Sequence, residues 1–486
     1  MYIMDYDFRP EKGQNFEIEI EDMSGEGAGI GRVNGLTVFV NGAVYKDVVS
    51  CEITKLKKNY CFAKLIDIIK ESPFRREGYC IYSDRCGGCH YHALNYEGQL
   101  ELKEKQVRDK LGRIGGFTCI PMEEIVAMEN PLRYRNKATC MISTGGIITK
   151  KGGIIENVGE PVVGFFKQKS HNVCDCSDCV IQADTVSVVA DVLRKFMAND
   201  NITAYDNRWE KGLMKKVIVR TAFNTGEVMV IFQVNGKGIP NHLKLISMLD
   251  DAIFNMPPTD TGVQYSLESV ILAYEIKNDK RGELKFVTLA GKGTIREELG
   301  NMQYEISPGA FFQVNSIQTV KLYDKVLEFI NPSGAEDVWD VYCGVGTIGL
   351  YIAKNVRSVI GIESIKDAII DANRNAVING IVNAVYRCGD AEAEIKKLLY
   401  EGKSCDVAIL DPPRSGCSPN LLKALADSNV VKIVYVSCDP ATLARDLKQL
   451  SEMGYSLKKI ACFDQFANSK HVESIAVLIK SEMDEN

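Results

Sequence analysis

The sequence predicts an α/β catalytic domain with a doubly wound, mostly parallel sheet and a terminal antiparallel hairpin, preceded by a small OB-like β-barrel and an α+β central domain. Residues 301–486 alternate apolar strand-like runs with amphipathic helical runs, as parallel sheets covered by helices on both faces do. Residues 10–71 carry short β-rich runs around a glycine-rich stretch, which is typical of a five-stranded barrel. Residues 72–300 mix strands with helical runs and contain a cysteine-rich segment.

Composition and charge narrow the class of protein. With 486 residues and 45% hydrophobic side chains, the chain is long enough for two or three domain cores. It lacks both a long apolar run and the zones of a signal peptide, so we expect a cytoplasmic protein without membrane contact. We also expect a monomer. A net charge of −6 argues against indiscriminate coating of nucleic acid but permits a local basic groove. The 16 cysteines of a cytosolic chain indicate metal or catalytic positions rather than disulfides.

A cofactor site is predicted where the strand DVWDVY ends in a glycine turn and opens a helix. Gly344, Gly346 and Gly349 have the spacing GxGxxG, which is also found in dinucleotide sites and is weak evidence by itself. Glu363 closes the next strand, at the place where an acidic residue accepts hydrogen bonds from a ribose. A ligand that contains a ribose is therefore expected, and S-adenosylmethionine fits that description.

The fourth strand of this sheet, AILDPPR, supports the same site. Asp411 lies at its carboxyl end, where open α/β sheets bind ligands. Enzymes that methylate exocyclic amino groups carry an aromatic ring after a D/N-P-P motif, and here Arg414 follows the prolines. Methylation of an amino nitrogen is thus disfavoured. By itself, DPPR is equally compatible with a turn that only ends the strand.

A nucleophile and a base are predicted at the neighbouring strand ends. Cys438 follows the strand in YVSCDP and precedes a helix, whose dipole we expect to lower the pKa of the thiol. Uracil carbon 5 becomes nucleophilic only after a thiolate adds to carbon 6, and its proton must later leave to a base. Glu473 in HVESIAV, on the last hairpin beside the same sheet edge, is the candidate base.

These motifs resemble the RNA (uracil-5-)-methyltransferase family. Five separated segments match in order, namely FFQVN (311–315), DVYCGVG (340–346), DPPR (411–414), SCDPATLARD (437–446) and HVES (471–474). The resemblance implies that Cys438 is the nucleophile and Glu473 the base. It also implies contacts to S-adenosylmethionine from Gln313, Tyr342, Glu363 and Asp411, with Asp390 as a further contact on the adenine side.

The resemblance is closest to the bacterial 23S rRNA uridine-5-methyltransferases, because an N-terminal RNA-binding barrel is common among them and generally missing from tRNA-specific members. We therefore expect structured RNA as the partner, with 23S rRNA as the substrate and tRNA as the alternative. RYRNKA (133–138) also matches a family segment, and Arg135 and Lys137 are expected to face RNA. In related enzymes the helix at 91–115 packs on the catalytic domain.

The resemblance also implies a 4Fe–4S cluster. Cys80, Cys86 and Cys89 have the family spacing C-x5-C-x2-C, although spacing alone does not separate an iron–sulfur cluster from zinc. A fourth ligand is expected roughly ninety residues later, where Cys174, Cys176 and Cys179 compete. Cys179 is the predicted ligand, since relatives place it just before a helix.

Three other classes of protein are less compatible with the sequence. RNA cytosine-5 methyltransferases usually carry a cysteine directly after the proline of the fourth-strand motif, where Pro413 and Arg414 stand here. Radical S-adenosylmethionine enzymes use a C-x3-C-x2-C cluster motif, which differs from the spacing in this chain. A non-catalytic RNA-binding descendant is expected to have lost Cys438 or Glu473, and the sequence retains both.

Overall fold

A computed structural model describes residues 10–144, 159–276 and 282–481 of the chain. The gaps fall inside the predicted central domain and at the end of the predicted catalytic domain, and those parts of the predicted domains lie outside the described residues. Among the helices of the described ranges, none combines the length and the apolar character that crossing a membrane requires.

The N-terminal unit is a closed five-stranded barrel, which confirms the predicted OB-like fold. Its strands are β1 (Asn15–Met23), β2 (Gly29–Val33), β3 (Leu36–Asn41), β4 (Val48–Leu56) and β5 (Tyr60–Lys70), hydrogen-bonded in the order β1-β2-β3-β5-β4. Apolar side chains alternate with polar ones along β1 and β3, so that Ile18, Ile20, Val38 and Val40 fill the interior. Closure leaves no unpaired edge for aggregation.

The central unit is a seven-stranded sheet in the order β12-β11-β10-β9-β6-β7-β8. Its elements are β6 (Lys137–Thr144), β7 (Pro161–Phe166), β8 (Val173–Asp175), α2 (Asp184–Asn199), β9 (Met214–Thr221), β10 (Glu227–Val234), α3 (His242–Phe254), β11 (Ser266–Glu275) and β12 (Leu284–Gly291). Helices α2 and α3 bury their apolar faces in the core of this sheet. A separate hairpin of β13 (Ile295–Leu299) and β14 (Met302–Ile306) follows.

The C-terminal unit is the predicted doubly wound sheet, in the order β17-β16-β15-β18-β19-β21-β20. Its elements are α4 (Ser316–Ile330), β15 (Asp337–Val341), α5 (Thr347–Ile352), β16 (Ser358–Glu363), α6 (Lys366–Ile378), β17 (Ala384–Cys388), α7 (Ala391–Tyr400), β18 (Val407–Leu410), α8 (Pro419–Asp427), β19 (Lys432–Ser437), α9 (Pro440–Glu452), β20 (Tyr455–Phe463) and β21 (Glu473–Lys480). Strands β15 to β19 are parallel, and β21 pairs antiparallel with both β19 and β20. The carboxyl ends of the parallel strands therefore share one edge, and the terminal hairpin confirms the prediction.

One helix that precedes the central sheet in sequence packs on the C-terminal unit. This helix, α1 (Tyr96–Lys110), continues into a π-helical turn, Leu111–Gly115, that lies against α9. Lys103 on α1 donates to Asp464 Oδ1 at 2.6 Å, and both side chains are fully buried. Removing either partner would leave an uncompensated buried charge. The packed units therefore do not correspond to consecutive segments of the chain, because α1 precedes the central sheet in sequence but packs on the C-terminal unit.

Candidate active site and cysteine cavity

The carboxyl edge of the parallel sheet opens into a cavity of about 1070 Å³, here called the active-site cavity. Its lining includes seven of the predicted site residues, Gln313, Tyr342, Gly344, Glu363, Asp411, Cys438 and Glu473. They come together because parallel strands end at one edge, while β21 returns antiparallel to begin there. The site therefore combines the predicted cofactor contacts with the predicted nucleophile and base.

The cofactor side of this cavity is built by the turn after β15. Tyr342 and Gly344 both have left-handed backbone conformations, with φ of 68° and 55°. Gly344 N donates to Glu363 Oε2 at 3.2 Å, and Ile365 N donates to Glu363 Oε1 at 2.9 Å. Glu363 is thereby fixed at the end of β16 with acceptor capacity to spare, because a carboxylate accepts about four hydrogen bonds.

Two glycines that follow β15 are required by close packing. A Cβ on Gly349 would lie 2.7 Å from Asp340 Oδ2, which accepts a hydrogen bond from Gly349 N at 2.8 Å. A Cβ on Gly346 would lie 2.7 Å from the hydroxyl oxygen of Tyr386. Burial raises the pKa of Asp340 to about 7.

Asp390 is the predicted cofactor contact that does not line the active-site cavity. It caps α7 instead, where its side chain accepts from Ala393 N at 3.1 Å. Its contact with the adenine side stays a prediction. The sequence signal, an acidic residue at the start of a helix, is the same for a helix cap and for a ligand contact.

Cys438 and Glu473 lie at the ends of adjacent strands. Ser437 on β19 pairs with Ser474 on β21, so Cys438 follows β19 next to Glu473, the first residue of β21, which itself pairs with Phe463 on β20. Glu473 is 4% exposed, whereas Cys438 is half-buried at the cavity wall. Asp411 ends the neighbouring strand β18 on the same cavity.

The pKa of the Cys438 thiol differs from the value expected from the sequence. Burial, and then the carboxylates of Glu473 and Asp411, raise the pKa of the Cys438 thiol to about 11, while Arg414 opposes the shift. This shift is opposite to the lowering expected from the helix dipole. The helix end is already capped by Asp439, whose Oδ1 accepts from Ala441 N at 2.9 Å and Thr442 N at 3.0 Å.

The pKa values of the two carboxyl groups beside Cys438 are both raised. Burial raises the pKa of Glu473 well above its ordinary value, and Asp411 adds to the shift. Burial, with Asp340 as a second cause, raises the pKa of Asp411 to about 7. Arg414 lowers the pKa of Glu473, which makes Arg414 the cation that acts on both the thiol and the base.

Sequence reasoning assigned no role to three other residues of the active-site cavity. They are Arg414, which follows the prolines of DPPR, His471 of the HVES segment, and Phe466. Burial lowers the pKa of His471 to about 4, with Arg414 as the next cause, so its imidazole is neutral at pH 7. Phe466 also lines the cavity from the loop between β20 and β21. Their positions depend on tertiary contacts that periodicity does not reveal.

The RYRNKA segment holds the wall that carries Gln313. Asn136 is buried and its side-chain amide donates to Gln313 O at 2.9 Å and to Ser316 Oγ at 3.0 Å. Its backbone N–H donates to Val314 O at 2.8 Å. Asn136 thus fixes the backbone of FFQVN, although the sequence gave it no distinct signal.

The loop between β20 and β21 is held by residues from the first part of the chain. Lys103 Nζ donates to Phe466 O at 3.0 Å, and the hydroxyl of Tyr134 donates to Ala467 O at 3.0 Å. Asn468, whose φ is 65°, donates from its backbone to Gln99 Oε1 at 2.7 Å. The docking of α1 therefore determines where Phe466 and His471 lie.

A second cavity, here called the cysteine cavity, has a volume of about 440 Å³ and lies in the central unit. Its lining includes the four predicted metal ligands, Cys80, Cys86, Cys89 and Cys179, together with Cys176. Cys174 is buried nearby but does not line it. Arg135 and Lys137 also line the cysteine cavity, which differs from the expectation that they face RNA.

The donor set of this cavity suits a thiolate-bound metal group. Within the described ranges, no three His, Cys, Asp or Glu residues converge closely enough to hold a single metal ion. Cys80, Cys86, Cys89 and Cys179 surround the cavity, and a set of four thiolates fits either a zinc ion or an iron–sulfur cluster.

Comparisons with known proteins agree with this architecture. Residues 290–481 match the tRNA (uracil-5-)-methyltransferase family, and residues 9–66 match the TRAM domain. The chain is 40% identical over 468 residues to a protein of Caldanaerobacter subterraneus named as an uncharacterized RNA methyltransferase, covering 96% of this chain and 98% of that one. A protein of Bacillus cereus with the same name is 37% identical, covering 96% and 97% of the two chains.

Among solved structures, the chain is similar to the Pyrococcus abyssi tRNA (uracil-54, C5)-methyltransferase in complex with S-adenosyl-L-homocysteine. The TM-score is 0.70 at 28% identity, and the alignment covers 95% of this chain and 99% of the other. The match spans the barrel, the central sheet and the doubly wound sheet. Together with the shared cavity of candidate residues, these similarities show that the chain belongs to the RNA (uracil-5-)-methyltransferase family.

Proposed function

We propose that this protein transfers a methyl group from S-adenosylmethionine to carbon 5 of a uridine in 23S rRNA, with Cys438 as covalent nucleophile and Glu473 as base. The observation that carries the proposal is the single active-site cavity, which brings both residues together with the cofactor candidates. The thiol of Cys438 interacts electrostatically with Glu473 and Asp411 and is hydrogen-bonded to Arg414.

The cofactor would be held by Gln313, Tyr342, Gly344, Glu363 and Asp411. Glu363 is oriented by two backbone N–H groups and retains acceptor capacity for ribose hydroxyls. Asp411 offers a carboxyl group at the end of β18, beside the thiol of Cys438. S-adenosylmethionine supplies an electrophilic methyl group when bound.

The thiolate of Cys438 would add to carbon 6 of the uracil, so that a new carbon–sulfur bond forms and carbon 5 becomes an enolate carbon. After carbon 5 has gained the methyl group, Glu473 would take its proton, and the electron pair left behind would expel the Cys438 thiolate. Arg414 would favour the ionised forms of both residues, since it lowers both pKa values. Phe466 and His471 also line this cavity, where they would lie beside the target base.

The barrel would anchor the RNA through the face formed by β3 and β5. Phe39, Tyr60 and Phe62 form a cluster there, with ring centroids 5.5 to 5.8 Å apart. Exposed lysines surround the cluster and form no salt bridge within the described residues, namely Lys55, Lys57, Lys58 and Lys64. Aromatic rings next to unpaired lysines suit single-stranded nucleic acid, whose bases stack and whose phosphates pair with the cations.

This anchor can be tested with matched variants on opposite sides of the barrel. Tyr60→Ala combined with Phe62→Ala should weaken RNA binding by about 1–3 kcal/mol per lost stacked base, while cofactor affinity stays unchanged. Glu19→Ala, on the acidic outer side of β1, serves as the control. If Glu19→Ala weakens binding and the aromatic pair does not, the RNA runs over another face.

Transfer RNA is the second candidate substrate, because the similar structure from Pyrococcus abyssi is named as a tRNA enzyme. That alignment spans 95% of this chain, so the barrel by itself does not separate the two substrate classes. The deciding experiment maps 5-methyluridine in 23S rRNA and in tRNA from cells with and without the protein. Loss of the modification from 23S rRNA alone supports the proposal, and loss from tRNA alone replaces it.

A 4Fe–4S cluster bound by Cys80, Cys86, Cys89 and Cys179 is part of the proposal. Anaerobically purified protein should contain about four irons with sulfide per chain. Cys179→Ser should lose the cluster, whereas Cys174→Ser and Cys176→Ser should retain it. Stoichiometric zinc without sulfide would reject the cluster, and the reverse pattern of variants would reassign the fourth ligand. Action as a cytoplasmic monomer stays a prediction.

A further inference from the structure

The lining of the cysteine cavity carries positive charge without a negative partner. Arg135 and Lys137 line it, and none of its lining residues is an aspartate or a glutamate. Neither cation forms a salt bridge within the described ranges, and Arg135 Nε is buried without an acceptor. A half-buried cation of this kind is costly unless an anion accompanies it.

The neighbouring strand increases this excess of positive charge. Lys137 on β6 pairs with Arg220 on β9 in the sheet register. The guanidinium of Arg220 donates to the backbone carbonyls of Pro308 and Ala310, so it meets no carboxylate. The nearest polar groups therefore leave the charge on Lys137 uncompensated.

Arg135, in the bridge to Gln182 that precedes β6, and Lys137, the first residue of β6, both lie on the side of the thiols. Alternate residues of an extended chain point to one face, and Arg135, Lys137 and Thr139 all line the cysteine cavity. The residue between them, Asn136, points the other way and holds the wall of the active-site cavity. The orientation of the two cations is thus fixed by strand pairing rather than by a flexible surface loop.

We infer that Arg135 and Lys137 are the counter-charges of an anionic iron–sulfur cluster in the cysteine cavity and that they raise its reduction potential. This inference rests on the cluster proposed above. A 4Fe–4S core with four thiolates carries net negative charge, and its one-electron reduction adds a further negative charge. Fixed cations stabilise the reduced form more than the oxidised form, so their removal makes the potential more negative.

The test is a potentiometric titration of the full chain with a one-electron reductant, followed by the paramagnetic signal of the reduced cluster. Lys137→Met and Arg135→Met should each shift the reduction equilibrium at least tenfold toward the oxidised form, which is about 59 mV for one electron. Lys137→Arg should retain the potential of the natural protein. Lys195→Met, an exposed position on α2 outside the cavity, is the control.

A variant with an added positive charge provides a second test, which still applies if a methionine variant takes up no cluster. Thr139→Lys adds a cation at an exposed position of the same lining and should move the potential in the positive direction, whereas Thr139→Gln should not. Potentials equal to that of Lys195→Met in all variants would overturn the inference. An unchanged potential together with tenfold weaker RNA binding would overturn the inference and indicate that Arg135 and Lys137 contact RNA.

The inference and the proposed activity fail in different ways. A protein without iron and sulfide overturns both the cluster and the counter-charge role, yet that protein can still methylate RNA. A loaded protein with shifted potentials and no uridine methylation supports the inference and rejects the proposed reaction.

Discussion

The buried ion pair between Lys103 and Asp464 should contribute strongly to the stability of the C-terminal unit. Lys103→Met removes the ammonium group that donates at 2.6 Å and leaves a fully buried carboxylate whose Oδ2 already lacks a partner. Breaking a buried pair by removing one partner costs about 3–5 kcal/mol of folding free energy. The same change removes the hydrogen bond to Phe466 O, so the loop between β20 and β21 should loosen too.

The assay follows the fluorescence of Trp339 during denaturant unfolding, in a Trp209→Phe background. Trp339 is fully buried in β15, whereas Trp209 is largely exposed, and the chain contains only these two tryptophans. Lys103→Met combined with Asp464→Leu removes both charges and should recover most of the lost free energy. A loss below about 1 kcal/mol for Lys103→Met, or a double variant as unstable as the sum of the two single changes, would refute the reasoning.

Three further predictions concern the active-site cavity. Glu363→Ala and Asp411→Ala should each weaken S-adenosylmethionine binding by about 1.5–3 kcal/mol, tenfold or more, and unchanged calorimetric affinities in both would contradict the pocket. Because the pKa of Cys438 is raised to about 11, its thiolate fraction grows with pH, so kcat/KM for RNA should rise about tenfold per pH unit between about pH 7 and 9; a flat profile would contradict this. Asn136→Ala should raise the KM for the cofactor more than it lowers kcat, because it loosens the backbone of Gln313, and the opposite split would remove its positioning role.

The doubly wound sheet and its site could be predicted because they depend on local pattern and on strand order. Apolar runs that alternate with helices fix a parallel sheet, and the carboxyl ends of its strands must then meet. Asp411 and Cys438 follow two such strands, and Glu473 begins the strand that returns beside them. Their common cavity is therefore a consequence of topology that the sequence already contains.

Contacts between distant parts of the chain could not be predicted in this way. The raised pKa of Cys438 results from burial and from two carboxylates that lie far away in sequence. Arg135 and Lys137 look like an RNA-binding pair in the sequence, and only the pairing of β6 with its neighbours turns them toward the cysteines. The role of Lys103 likewise appears only once α1 has docked on the catalytic unit.

The roles of Cys438 as nucleophile and Glu473 as base are tested most directly by trapping the covalent intermediate. Without the thiolate no adduct forms, so Cys438→Ala should abolish both methylation and any denaturation-resistant complex with RNA. Glu473→Gln should still permit methyl transfer but slow proton removal by about a hundred- to ten-thousandfold, so a methylated adduct should accumulate on Cys438.

The measurement is a denaturing gel with labelled RNA, followed by mass spectrometry of the cross-linked peptide from Glu473→Gln. The predicted result is one adduct, attached through Cys438 and already carrying the methyl group. An adduct through another thiol, such as Cys417 beside the DPPR segment, would move the nucleophile and favour a cytosine-type reaction. Full turnover by Glu473→Gln would exclude Glu473 as the base.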